Sequence, residues 1–142
     1  MLERAIQIAV EAHMGQVDKG GSPYILHPLR VMMSVDGALE QTVAVLHDVV
    51  EDSAWTFETL AKEGFPIDVI DALRSVTKVD ASEKYELFIQ RALSNPIGRR
   101  VKIADLRDNL DVTRIARLTE KDLERLNKYK QALIVLEAPQ IG

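Results

Sequence analysis

The chain has 142 residues, enough for one domain that buries roughly two-thirds of its extended surface. Eighteen Lys and Arg against twenty-two Asp and Glu leave a net charge of −4, and only five per cent of residues are aromatic. That balance argues against a nucleic-acid partner, which calls for a basic face or rings to stack on bases. With no cysteine, disulfide scaffolds, thiolate zinc sites and cysteine nucleophiles are excluded. No apolar run approaches the ~20 residues of a membrane span, and Glu3 and Arg4 stand where a signal peptide would be apolar. A cytoplasmic protein without a membrane partner is expected.

Almost every segment reads as helix. Leu2, Ile6, Ala9, Val10 and His13 give residues 2–14 an amphipathic stripe. Gly15, Gly20, Gly21, Ser22 and Pro23 then make a loop, and Pro28 suits the first turn of a helix over 28–35. A helix over 39–52 follows. Thr56 caps a short one, and Pro66 begins another that runs to about Val76. Ser82 is expected to start a helix ending near Asn95, where Pro96 interrupts. Residues 98–116 form the next, and Thr119-Glu120-Lys121-Asp122 resembles a capping box for a last helix to about Glu137. Without strand alternation, repeats or linkers, the chain is predicted to be a compact all-α single domain over residues 1–142.

The chemistry concentrates in His47-Asp48-Val49-Val50-Glu51-Asp52, which follows the apolar run Thr42-Val43-Ala44-Val45-Leu46. Charged groups are rarely buried without partners. On a continuous helix His47 would lie over Glu51 and Asp48 over Asp52, and two carboxylates so spaced repel unless a cation or proton sits between them. His27, fixed at a loop–helix junction, and Asp105, preceded by the apolar lead-in Val101-Lys102-Ile103-Ala104, could complete a mixed nitrogen–oxygen site. Two imidazoles and two carboxylates suit Mn²⁺, Fe²⁺ or Zn²⁺ with positions left for water. Such a cation lowers the pKa of water, and Glu51 and Asp52 are placed to orient it and carry its proton. Each residue alone also has a simpler reading: His27 as a cap, Asp105 as a solvated acid, His13 as a hydrogen-bonded histidine of the first helix. Lys19, Arg99, Arg100 and Arg107 are most simply solvated charges, with phosphate contact the alternative.

His27, His47-Asp48 and Asp105, in this order, resemble the H…HD…D signature of the HD-domain metal-dependent phosphohydrolases. Ala12-His13-Met14-Gly15-Gln16, Lys19, Pro23-Tyr24-Ile25-Leu26-His27-Pro28, Leu46 to Asp52 and Val101 to Leu110 narrow the resemblance to the hydrolase domain of RelA/SpoT-type proteins and its stand-alone form, the small alarmone hydrolase. The resemblance spans about residues 4–136. It implies an all-helical HD-domain bundle that binds one Mn²⁺ through His27, His47, Asp48 and Asp105. The implied reaction removes the 3′-diphosphate of guanosine tetra- and pentaphosphate and releases pyrophosphate, with Glu51 and Asp52 as the catalytic acidic pair. Asp18, Lys19, Tyr24, Lys102, Asn109, Arg125 and Tyr129 become the expected contacts to a small nucleotide substrate, Lys19, Lys102 and Arg125 neutralising phosphate. No synthetase domain is expected within this chain.

One position departs from the family pattern. Asp18-Lys19 stands where an Arg-Lys pair is usual, the Arg packing against guanine, and an aspartate cannot stack as a guanidinium does. Either Asp18 accepts hydrogen bonds from the guanine edge, or the substrate is another 3′-phosphorylated nucleotide. A third reading is a sensor that binds the alarmone without turnover, for which the acidic pair would be superfluous.

Overall fold

Nine helices account for the secondary structure of residues 1–140, which the structure, a computed structural model, describes; the last two residues of the expected 1–142 domain lie outside them. They are α1 (Leu2–Ala12), α2 (Leu26–Met33), α3 (Ala38–Leu46), α4 (Val49–Asp52), α5 (Phe57–Lys62), α6 (Ile67–Ser75), α7 (Tyr85–Leu93), α8 (Pro96–Asn109) and α9 (Glu120–Glu137). Among the described residues the only extended pairing is an isolated bridge between Val17 and Pro23. The all-α architecture expected from the sequence is what the chain adopts.

α3 is the centre of the bundle because its second half is apolar all round. Val43, Ala44, Val45 and Leu46 are fully buried, and α1, α2, α6 and α8 pack around them. Each such valine or leucine contributes on the order of 1.5–3 kcal/mol by leaving water. α8 is set against α6 at close range: a Cβ on Gly98 would lie 2.0 Å from Ser75 Oγ, so a side chain at this crossing would force Ser75 to move. No helix of the described residues is long and apolar enough to cross a membrane.

Side-chain caps open three of these nine helices, α5, α8 and α9, and three expected boundaries need correction. Thr56 and Thr119 cap α5 and α9 as their sequences suggest, Thr119 Oγ1 accepting from Asp122 N at 3.2 Å while Thr119 N donates to Asp122 Oδ2 at 2.8 Å. Ser82 does not begin α7: its amide and hydroxyl both donate to Asp80 Oδ1 in a turn, and the helix starts at Tyr85. α8 occupies 96–109 rather than 98–116, because Asn95 Oδ1 accepts from Ile97 N and Gly98 N and Pro96 takes the first helical position. The predicted helix 39–52 is broken at His47-Asp48, which form a turn between α3 and α4. His47 causes the break in part, since its own ring donates from Nδ1 to the Ala44 carbonyl at 2.6 Å.

Candidate metal centre and adjoining cleft

The break in the central helix has a geometric consequence. Both turn residues keep right-handed helical dihedrals, and their side chains converge from neighbouring positions. Here His47 Nε2 and Asp48 Oδ2 stand 3.0 Å apart. α2 adds His27 from its first turn and α8 adds Asp105. His27 Nε2 lies 2.9 Å from Asp105 Oδ1 and 3.9 Å from Asp48 Oδ2, and His47 Nε2 lies 3.4 Å from Asp105 Oδ1. Neighbouring donors that share one cation at bonds of ~2.1 Å stand roughly 3.0–3.4 Å apart. Three of the four spacings fall at or near that range.

The tautomers fit a cation as well. With Nδ1–H given to the Ala44 carbonyl, His47 presents the Nε2 lone pair, which is buried and has no hydrogen-bond partner. His27 Nδ1 lies 2.6 Å from Asp108 Oδ2 and donates to it, which turns the Nε2 lone pair of this ring also toward Asp105. Two lone pairs facing two carboxylate oxygens are unfavourable unless a cation or protons lie between them. A set of two imidazole nitrogens and two carboxylate oxygens matches a divalent transition metal or zinc.

A second layer fixes each donor. Tyr24 donates its hydroxyl to Asp48 Oδ2. Asn109 Nδ2 donates to Asp105 Oδ1 at 3.1 Å, and the buried Lys102 ammonium holds Asp105 Oδ2 at 2.9 Å. Arg30 donates twice to Asp108, at 2.8 and 3.1 Å, behind His27. Such outer partners hold a metal-binding imidazole in one orientation and tautomer.

The titrations follow from this crowding. Burial works against charging His47 and His27, yet Asp48 and Asp105 around the first, and Asp105 and Asp108 around the second, outweigh it and raise both pKa values. Burial opposes ionisation of Asp48 too, but His47 holds it down to about 2, and Lys102 and His47 hold Asp105 well below the usual carboxylate range. Asp52 moves the other way: partial burial and the neighbouring Asp48 charge raise its pKa, the direction that suits a proton acceptor.

Beside the donors opens a cleft of about 400 Å³. Asp18, Lys19, Tyr24, Asn109, Arg125 and Tyr129, six of the expected substrate contacts, all line it. Lys19 is free to move, its side chain 63% exposed and only 3.9 Å from Asp122, whereas Arg125 is bound to Asp122 at 2.9 Å. Asp18 is committed to its own loop: Oδ1 accepts from Gly20 N and Ser22 N, both at 2.9 Å. The bare Cα of Gly20 lets this loop meet the 110–119 segment, since a Cβ there would lie 2.7 Å from the Arg114 carbonyl.

Two expected residues sit differently. Lys102 does not line the cleft; it is buried behind Asp105, its ammonium 4.7 Å from the Phe88 ring centroid. Glu51 Oε1 accepts from the Lys78 amide at 2.8 Å, anchoring the α6–α7 connection to α4. Three residues were not singled out from sequence: Asp108, Arg30 and Arg114. Asp108 lies one helical turn after Asp105 and Arg30 one turn after His27, so same-face spacing could have found both. Arg114, from the 110–119 loop, carried no such signal; it donates to the Asp108 carbonyl at 3.0 Å and to Asp111 at 3.1 Å on the wall of the cleft.

Fold and donors together define a helical domain built around a candidate metal centre. No family model matches the chain. In sequence it is 32% identical over 152 aligned residues to a guanosine-3′,5′-bis(diphosphate) 3′-pyrophosphohydrolase of Aquifex aeolicus, an alignment covering 99% of this chain and 21% of the relative. It is 31% identical to a GTP pyrophosphokinase of Streptomyces coelicolor, over 96% of this chain and 16% of that one. The chain thus spans about a fifth or less of the length of these relatives. In structure it is similar to a metazoan ortholog of SpoT described as hydrolysing ppGpp, with a TM-score of 0.81, 26% identity, and coverage of 96% of this chain and 85% of the other. Over nearly its whole length the chain is thus similar to one part of these longer relatives and shares the fold of the SpoT ortholog.

Proposed function

We propose that this chain hydrolyses the 3′-diphosphate of guanosine tetra- and pentaphosphate, releasing pyrophosphate, with one divalent cation, Mn²⁺, held by His27, His47, Asp48 and Asp105. The observation that carries this reading is the unpartnered, buried Nε2 of His47 facing Asp48 and Asp105 at the edge of a cation-lined cleft. When bound, the cation supplies Lewis-acid polarisation and a water of lowered pKa. The chain's residues do the rest. Water attacks the 3′-linked phosphorus, the bond to O3′ breaks, and O3′ takes up a proton as pyrophosphate departs. Asp52, its pKa raised beside Asp48, accepts the proton of the attacking water. Glu51 keeps α4 in place through Lys78 and serves as the second member of the acidic pair. Lys19 and Arg125 meet phosphate charge, Tyr24 keeps Asp48 aimed, and Asn109 holds Asp105 beside the nucleotide.

Incubation with guanosine tetraphosphate and Mn²⁺ should release pyrophosphate, and His47→Ala should abolish the release. No pyrophosphate from the intact, metal-loaded chain would refute the reading. The double variant Glu51→Gln, Asp52→Asn should lose turnover while keeping its metal content, which separates an enzyme from an alarmone sensor.

A second reading concerns the base. Asp18 is an acid and offers no planar cation for stacking on guanine, and its Oδ1 is already bonded to its own loop. A chain that has changed its base pocket would turn over adenosine 3′,5′-bis(diphosphate) faster than the guanosine compound, and a preference for guanosine removes this alternative.

A further inference from the structure

His13 lies outside the donor set and has no part in the reaction as described. It is buried (1% exposed) at the C-terminal end of α1, with Nδ1 2.8 Å from Gln16 Oε1. The Gln16 amide nitrogen donates to two main-chain carbonyls, Ala12 at 3.2 Å and Asp52 at 3.1 Å. Its oxygen is therefore the acceptor, and His13 Nδ1 carries the proton. The His13 ring also packs on Tyr24, with centroids 5.0 Å apart, and Tyr24 donates to Asp48. The remaining nitrogen, Nε2, is buried without a partner. A leucine would fill this volume without stranding a polar atom, so the imidazole is the poorer core residue and the better donor.

What depends on this donor is α4. A helix of one turn has little to hold it internally. Its tethers are external: Glu51 to Lys78 N on one side, Gln16 to the Asp52 carbonyl on the other. Among the described residues no hydrogen bond holds the Asp52 carboxylate itself, so its position is set by its main chain. We propose that His13 is a positioning residue: by donating to Gln16 it orients the amide that holds the Asp52 carbonyl, and so fixes where the Asp52 carboxylate stands relative to Asp48. The inference rests on the role assigned to Asp52 under the proposed function.

The test compares His13→Leu, which removes the donor, with His13→Asn, whose amide nitrogen stands near where Nδ1 stood. Displacing a reacting group by about 1 Å can cost ~10²-fold in rate. His13→Leu should lower kcat at least about tenfold with KM and Mn²⁺ stoichiometry unchanged, and His13→Asn should recover to within about threefold of the original chain. Hydrogen exchange at the amides of residues 49–53 should quicken in His13→Leu and return toward normal in His13→Asn. Should His13→Leu fail to fold, Gln16→Leu at a half-buried position should reproduce both effects. An unchanged kcat and unchanged exchange in the leucine variants, or an asparagine variant as impaired as the leucine one, would overturn the inference. The exchange comparison needs no substrate. A chain that releases no pyrophosphate therefore counts against the proposed function, while the exchange result still decides the hold on α4.

Discussion

Lys102 and Asp105 form a buried ion pair in which the two carboxylate oxygens face opposite ways: Oδ2 meets the ammonium at 2.9 Å, and Oδ1 faces His27 and His47. Burial alone would neutralise both groups, yet each holds the other charged. Lys102 is thus the fixed counter-charge of a proposed metal ligand.

Removing it should leave an uncompensated buried carboxylate. Lys102→Met is expected to destabilise the metal-free chain by about 3 kcal/mol, with saturating Mn²⁺ restoring part of the loss. Urea unfolding with and without Mn²⁺ measures both; a loss under about 1 kcal/mol would mean that the pair contributes no more than a surface bridge.

Asp108 acts on the centre through His27. Asp108→Ala removes the acceptor of the His27 Nδ1–H and frees Arg30, so Mn²⁺ affinity should fall roughly 10–100-fold. Calorimetric titration reads this directly. Asp108→Asn retains an acceptor oxygen and should lie nearer the original affinity; equal affinities in all three proteins would show that His27 needs no external orientation.

The loop between α1 and α2 offers a different signature. Asp18→Ala removes the acceptor of two backbone amides, so the loop carrying Lys19 loosens. KM for the nucleotide should rise about tenfold with kcat little changed, the pattern of lost uniform binding. Asp18→Asn, which still presents Oδ1, should behave almost as the original. A drop in kcat with unchanged KM would assign Asp18 to the chemical step.

The two raised histidine pKa values predict opposing trends with pH. A group whose folded pKa lies above its unfolded value of about 6.5 stabilises fully below that pH and loses its contribution as pH rises through the folded value. The metal-free chain should therefore lose stability from pH 6 to pH 9. Mn²⁺, which competes with those protons, should bind more tightly over the same range. Thermal melts across this range in chelator and in Mn²⁺ show both trends, and metal-free melts that stay flat would place the proton elsewhere.

Residue patterns made the helical architecture legible because it depends on local signals: the stripe of α1, the caps at Thr56 and Thr119, the proline at 96. The acid-rich end of an apolar run drew attention to the candidate donors His47 and Asp48, which stand beside His27. Helix periodicity carried no warning of the turn at His47-Asp48, since the side-chain bond from His47 to the Ala44 carbonyl one turn back selects among near-helical conformations that the apolar pattern does not distinguish. The direction of Lys102 was hidden for a related reason: one residue's sequence context does not say whether a lysine points into a cleft or beneath a carboxylate. The two bonds of Asp18 to the loop backbone are an Asx-turn habit that the Asp-Lys-Gly-Gly-Ser run already permits, and they compete with any offer of Oδ1 to a ligand.

The interruption of the central helix sets stability and activity against each other at one place. Residues 38–46 are driven to be helical by burial, and substitutions at 47 or 48 that continued the helix would be welcomed by the core. They would also take away one of two neighbouring donors and disperse the centre. Selection or design for thermal tolerance alone would therefore tend to erase this site by straightening one helix, and stabilised variants of the chain should be screened for metal binding before they are screened for melting temperature.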